Sequence, residues 1–288
     1  MALDDFTVYF KMKNMPFTSS IGTEYLYHSD AMTSVRNKLM LCIQNNSFAL
    51  LTGEPGTGKS TFLRMFASNL SADEYLILYV SMSNVTPRWL YTVPLELMGV
   101  KSHMYVNDAR RQFHEQIQIQ KTNFSKKVIM IIDEAHLLTQ SYRRFDLLEE
   151  IRFLLNGDKY DSGSPLALIL AGQSEILNTL RHERCRAITQ RIMYACRTHE
   201  LSTNEIGSYI GAHIRWSGVS EQLFSSDAID VIADLSNGLP RLINKICIHA
   251  LNYAALEGKQ IVTDSIVRMA ANNEVVDILL RENKHEQK

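Results

Sequence analysis

The sequence holds four cysteines and clusters none of them: Cys42, Cys185, Cys196 and Cys247 lack the C-x-x-C spacing of zinc and redox sites. They read as buried small hydrophobes with reduced thiols. An apolar run of about 18 residues is missing, as is a secretory signal, so no membrane partner is expected and the expected location is the cytoplasm. Charge is lacking in excess of either sign, with 30 Lys and Arg against 31 Asp and Glu. That removes a global field for nucleic acid, so any DNA contact has to come from a local patch. Internal repeats are absent too. What remains is an ordinary apolar fraction, 45% of 288 residues, enough for one large domain or two modest ones.

Residues 1–28 form an irregular leader rich in rings, Phe6, Tyr9, Phe10, Phe17, Tyr25 and Tyr27 among them, and are expected to pack on the body of the protein. Ser29-Asp30 caps a helix to about Gln44. Short β-rich runs follow at 48–51, 75–82, 128–132, 166–170 and 192–201, separated by helical periodicity such as 108–122 and 142–155. The alternation predicts an α/β fold with a five-stranded parallel sheet flanked by helices. The first four runs are expected to be central and the mixed-polarity fifth nearer an edge. After Leu201 only helical patterns remain, at 203–215, 225–235, 239–256 and 263–272, which predicts an all-helical unit over 202–272, followed by a tail, 273–288. The α/β domain is expected over 29–201.

The most informative stretch is Gly53-Glu54-Pro55-Gly56-Thr57-Gly58-Lys59-Ser60, directly after the first apolar run and opening a helix at about Thr61. This is a phosphate-binding loop in its required context of strand, glycine turn and helix. The glycines let backbone N–H groups curl around a polyphosphate. Lys59 is predicted to reach the β- and γ-phosphates and Ser60 to ligate Mg²⁺, with the helix N-terminus adding partial positive charge.

The third run, Val128-Ile129-Met130-Ile131-Ile132, ends in Asp133-Glu134-Ala135-His136. Carboxylates at the carboxyl end of a parallel strand face the ligand crevice. Asp133 is assigned to the Mg²⁺ shell, directly or through water, and Glu134 to polarising the attacking water. His136 receives no catalytic role, since a histidine at a strand-to-helix turn more often bonds only the local backbone. Gln173, after the fourth run, is either a sensor of the γ-phosphate or, with Ser174, a cap for the next helix.

Arg181, Arg184, Arg186, Arg191 and Arg197 make a dense cationic stretch that has to face an anion or a partner. One anion is DNA phosphate; another is the γ-phosphate held by a neighbouring subunit, with Arg191 the first choice of finger and Arg184 the second. Arg241, in Gly238-Leu239-Pro240-Arg241, either reaches the phosphates or forms a surface salt bridge.

These residues together resemble the AAA+ superfamily: the loop at 53–60, the Asp133-Glu134 pair, the polar Gln173, an arginine before the fifth strand and Gly238-Leu239-Pro240-Arg241 in a helical lid. Met15-Pro16-Phe17, Tyr25-Leu26-Tyr27, Leu51-Thr52-Gly53-Glu54, Ala171-Gly172-Gln173-Ser174-Glu175 and the run 236–244 are similar to the ExeA-type ATPases. Soluble members of that group resemble transposition target-selection ATPases of the TnsC, TniB and MuB kind. The resemblance implies ATP and Mg²⁺ as cofactors, a ring or helical homo-oligomer on double-stranded DNA, and a transposase with or without a targeting protein as partner. It also implies that Lys59, Ser60, Asp133, Glu134, Gln173, Arg191 and Arg241 inherit the roles above, that leader aromatics wall the adenine, and that DNA meets 83–91 with Arg88, Lys101 and Lys121. Gln173 departs from the Asn or Thr commonest at the first sensor. The secretion members continue into a membrane helix and a wall-binding region; this chain ends first, which favours the transposition reading. A secretion accessory ATPase and a nucleotide-locked scaffold are the alternatives.

Overall fold

The computed structural model describes residues 5–18, 21–22, 27, 29–81, 86–140, 144–156 and 163–272. Tyr25, Leu26, residues 83–85, Tyr142 and the tail 273–288 lie outside them, with whatever was expected of each. The chain divides into two compact units, one drawn from residues 31–55 and 59–198, the other from the described parts of 1–30, 56–58 and 199–288.

The first unit is built on five parallel strands, β1 (Phe48–Thr52), β2 (Tyr75–Ser81), β3 (Lys127–Asp133), β4 (Ala167–Gly172) and β5 (Ile192–Arg197), in the order β2-β3-β4-β1-β5. In chain order the helices of the molecule are α1 (Asp5–Tyr9), α2 (Asp30–Gln44), α3 (Lys59–Ser68), α4 (Trp89–Leu97), α5 (Val106–Asn123), α6 (Leu137–Gln140), α7 (Arg144–Leu154), α8 (Ile176–Leu180), α9 (Arg186–Thr189), α10 (Thr203–Trp216), α11 (Ser226–Ser236), α12 (Pro240–Leu256) and α13 (Asp264–Ala271). β1 and β4 are buried at every position, as continuous apolar runs must be when helices cover both faces. β3 is buried from Val128 onward. Leu78, Val80, Tyr91, Phe113, Met130, Ile132, Leu168 and Leu170 lie in one core with α4, α5 and α7. Each fully buried side chain of this size contributes about 1.5–3 kcal/mol.

Two expectations change. The second run is not central: β2 is an edge strand paired only with β3, and its burial is partial, Leu78 and Val80 being its fully buried residues. Its sequence reads as apolar throughout because Tyr75 and Tyr79 count as apolar rings while their hydroxyls stay wet or bonded. The fifth strand stops at Arg197 and not at 201, although Thr198 N–H still donates to Thr52 O at 2.8 Å. α4, with Pro94 inside it, occupies part of the stretch expected to meet DNA.

The second unit has its own core, in which Ile206, Ile210, Ile232, Ile243, Ile246, Cys247 and Val267 from α10–α13 surround Phe6, Phe10 and Phe17. The leader is therefore part of the helical unit, with Phe6, Phe10 and Phe17 buried in its core. Phe17 N–H donates to Nδ1 of buried His213 at 3.1 Å and the two rings stack 5.0 Å apart. Burial alone pushes the His213 imidazole down to about 4. Local rules set the helix ends: Ser202 and Glu205 close a capping box on α10, and Ser225 Oγ accepts from Ala228 N–H on α11. Asn237 and Gly238 end α11 with positive φ, and a Cβ at Gly238 would stand 2.1 Å from Leu201 O. Thr263 occupies the start of α13 without capping it; its hydroxyl meets that of Ser265.

Candidate active site

The loop leaves β1 through Gly53 and enters α3 at Lys59. Gly56 and Gly58 have φ near +84° and +87°, the left-handed region where a Cβ is strained, so both glycines are required by backbone conformation. Thr57 is fully buried, and Ser60 and Thr61 sit half-buried in the first turn of α3. Lys59 is buried too, and its Nζ donates to Gly53 O at 2.7 Å and to Glu54 O at 2.8 Å. Burial holds its ammonium below the usual lysine value, opposed by the charges of Glu134, Asp133, Glu54 and Glu175 in that order. Glu54 accepts from Ser174 Oγ at 2.9 Å and faces Arg197 at 3.5 Å, while Pro55 is exposed.

Gly56–Gly58 groups with the helical unit, and within it Arg241 N–H donates to Gly56 O at 3.3 Å. A Cβ on Gly56 would come 2.9 Å from the Arg241 Cβ. Arg241 itself is exposed in the first turn of α12.

Asp133 ends β3, 3% exposed. Its Oδ2 accepts from the Tyr79 hydroxyl at 2.6 Å and its Oδ1 from Glu134 N–H at 2.8 Å. Tyr79 has its phenol held well above the usual value by burial and by that carboxylate. Glu134 takes a left-handed φ of +58°, a strained conformation for a residue with a side chain, of order 1–2 kcal/mol. The turn is tied down by Ala135 N–H donating to Ala171 O at 2.7 Å, and Gly172 lies so close that a Cβ there would stand 2.7 Å from His136 N. His136, buried, has Nδ1 3.3 Å from Glu134 Oε2 and Nε2 3.0 Å from Gln173 Nε2. Gln173 is thus turned toward His136, and neither it nor Ser174 caps α8, whose first turn has no side-chain cap.

The residues fit Mg²⁺ as one hydroxyl and one buried carboxylate, hard oxygens with lone pairs to spare, and not as a protein cage: no group of three His, Cys, Asp or Glu able to hold a metal occurs among the described residues. Such a pair suits an ion whose remaining ligands are phosphate oxygens and water.

Lys59, Asp133, Glu134 and Gln173 thus meet at the carboxyl ends of β1, β3 and β4, as the motifs required. Two residues that touch this group were not foreseen. Tyr79 carries a weak signal, a hydroxyl-bearing ring near the end of an otherwise apolar run. His136, taken to bond only local backbone, meets two side chains instead.

The arginines each have a different contact. Arg191 is exposed between α9 and β5 and donates to Arg152 O at 3.2 Å. Arg184 lies 4.3 Å over the Phe145 ring, and Arg181 donates to Asn178 at 3.4 Å. Arg88, Lys101 and Lys121 are exposed, and Arg88 donates to His103 O. Arg88 precedes α4, Lys101 O accepts from Gln112 of α5, and Lys121 lies in the last turn of α5.

The sheet order, the loop between β1 and α3 and the acid pair ending β3 agree with what comparison finds. Residues 43–180 match the AAA domain family. The chain resembles Aeropyrum pernix ORC2 in its ADPNP-ADP complexes, with a TM-score of 0.66 at 14% identity over 92% of this chain and 71% of that one. The fold is that of the AAA+ P-loop NTPases. Drosophila ORC bound to DNA is similar with a TM-score of 0.63 at 16% identity, over 94% of this chain and 66% of that one. In sequence, the chain is 29% identical over 283 residues to general secretion pathway protein A of Aeromonas hydrophila, covering 92% of this chain and 48% of the relative. It therefore spans about half the length of that relative. No helix among the described residues is long and apolar enough to cross a membrane.

Proposed function

We propose that this chain is a cytoplasmic, ATP-dependent DNA-binding ATPase that oligomerises on duplex DNA and selects targets for a transposase. The observation that carries the ATPase part is the convergence of Lys59, Asp133 and Glu134 at one end of the sheet, with the Lys59 ammonium resting on two loop carbonyls that phosphate oxygens can replace. In this reading residues 29–201 are the nucleotide-binding domain and 202–272 its lid. Backbone N–H groups of residues 53–61 cradle the phosphates, and Lys59 bridges the β- and γ-oxygens. Ser60 and Asp133 would hold Mg²⁺, which would supply neutralising charge at the phosphates. Glu134 takes a proton from the attacking water. Arg191 of the next subunit, or Arg184, completes the pocket, and Arg241 belongs to the same machinery. DNA contacts through Arg88, Lys101 and Lys121, repeated along a filament, would be sequence-independent and salt-sensitive without a basic net charge. The likeness to an ORC structure bound to DNA supports this part of the reading.

Electron microscopy of the protein with ATP, Mg²⁺ and duplex DNA tests the proposal: coated DNA is expected, and its absence with a non-hydrolysable analogue at low salt would end it. Lys59→Ala should abolish nucleotide binding in a fluorescent-nucleotide titration. A second reading, an accessory ATPase of a secretion pathway, is favoured by the name of the Aeromonas relative. Neighbouring genes for envelope export, or a longer native chain with a membrane span, would select it.

A further inference from the structure

We infer that Gln173 serves Glu134 through His136, the amide setting the imidazole tautomer and the imidazole N–H orienting the carboxylate; the inference rests on the reading of Glu134 as the water-polarising acid. The Gln173 amide nitrogen lies 3.0 Å from His136 Nε2. An amide nitrogen only donates, so Nε2 is the acceptor and a neutral ring carries its proton on Nδ1. Nδ1 stands 3.3 Å from Glu134 Oε2, an electrostatic contact without the alignment of a hydrogen bond.

The backbone makes this arrangement specific. Ala135 N–H is bonded to Ala171 O, and Gly172 passes within van der Waals contact of the His136 backbone only because it has no Cβ. Residues 136 and 173 are therefore locked in register, with the ring buried between them and the carboxylate. Glu134 is half exposed on a left-handed turn, so without a partner its carboxylate would sample solvent rotamers. Held as it is, it is the acid whose charge bears most strongly on Lys59. Gln173 thus does not need to touch the triphosphate to affect hydrolysis. His136 and Gln173 are positioning residues, comparable to the outer partners of a metal ligand.

Steady-state ATPase assays on the full chain decide the matter. His136→Ala and Gln173→Ala are each expected to lower kcat 10- to 100-fold with KM and ATP-analogue affinity unchanged. His136→Asn, which keeps a donor toward Glu134, should recover most of the loss. Adding Gln173→Ala to His136→Ala should cost nothing further. An equal drop from Gln173→Ala in both backgrounds would mean that the amide acts on the phosphate itself and overturns the inference. Nitrogen-15 spectra of histidine-labelled protein give a second readout that needs no turnover: the His136 signal, assigned by its loss in His136→Ala, should report the Nδ1–H tautomer and change in Gln173→Ala. An Nε2–H tautomer refutes the coupling. If the wild-type chain hydrolyses no ATP the proposed function fails, while these spectra still decide the contact.

Discussion

At the residue scale, the site rests on residues that fix the positions of others. Asp133 is buried with one oxygen on Tyr79 and the other on a backbone N–H, which fixes the carboxylate plane before any ion arrives. Tyr79→Phe should leave ATP affinity in chelator nearly unchanged but raise the Mg²⁺ concentration for half-maximal ATPase about tenfold. An unchanged Mg²⁺ titration would show that the Tyr79 bond does not support the metal. Gly172 is the other such residue. A methyl there would approach the His136 amide nitrogen at 2.7 Å, and the obstacle is backbone that cannot rotate away. Gly172→Ala should cost about 1–3 kcal/mol in urea unfolding and lower kcat as well.

At the element scale, the leader is held to the helical unit by a neutral histidine. Phe17 N–H needs the Nδ1 lone pair of His213, and burial keeps that ring unprotonated down to about pH 4 against an ordinary 6.5. Between those values the unfolded chain binds a proton that the folded unit refuses, so stability contributed by this group is complete above pH 6.5 and declines as pH falls toward 4. The loss approaches about 3 kcal/mol. Urea titrations at pH 7 and pH 4.5 on wild type and His213→Gln should show the acid-dependent part diminished in the variant; parallel pH dependence in both would place the acid sensitivity elsewhere. The helical pattern after Leu201 was legible because its periodicity is local, whereas the caps that close it, Ser202 with Glu205 on α10 and Ser225 on α11, came from the structure. The leader's helix α1 and its place in the second core were not legible, since the rings that fill that core are separated from it by the entire α/β unit.

At the scale of the whole molecule, the proposed assembly makes a sharp demand on Arg191. It is exposed and donates within its own chain only to the Arg152 carbonyl among the bonds observed. Arg191→Ala should therefore leave the unfolding free energy within about 0.5 kcal/mol of wild type. It should also lower DNA-stimulated kcat by about 10³ if its guanidinium works in trans. Mixing Arg191→Ala with Lys59→Ala chains should restore part of the activity, since in one of the two orientations a mixed interface pairs the intact loop of the first with the intact arginine of the second. No recovery on mixing would assign the finger to Arg184 or to neither.

The sequence by itself determined the parallel sheet, the loop at 53–60, the acid pair and the helical character of the chain after Leu201, because each is written in contiguous residues whose period or glycine placement admits one local structure. Edge position was decided by tertiary structure, since β2 and β3 are equally apolar and only pairing tells which lies outside. So were Tyr79 against Asp133 and Gln173 against His136, partners 54 and 37 residues apart. A side chain's chemical type is local information, but its partner is set by the strand order that carries two distant turns to the same end of a sheet.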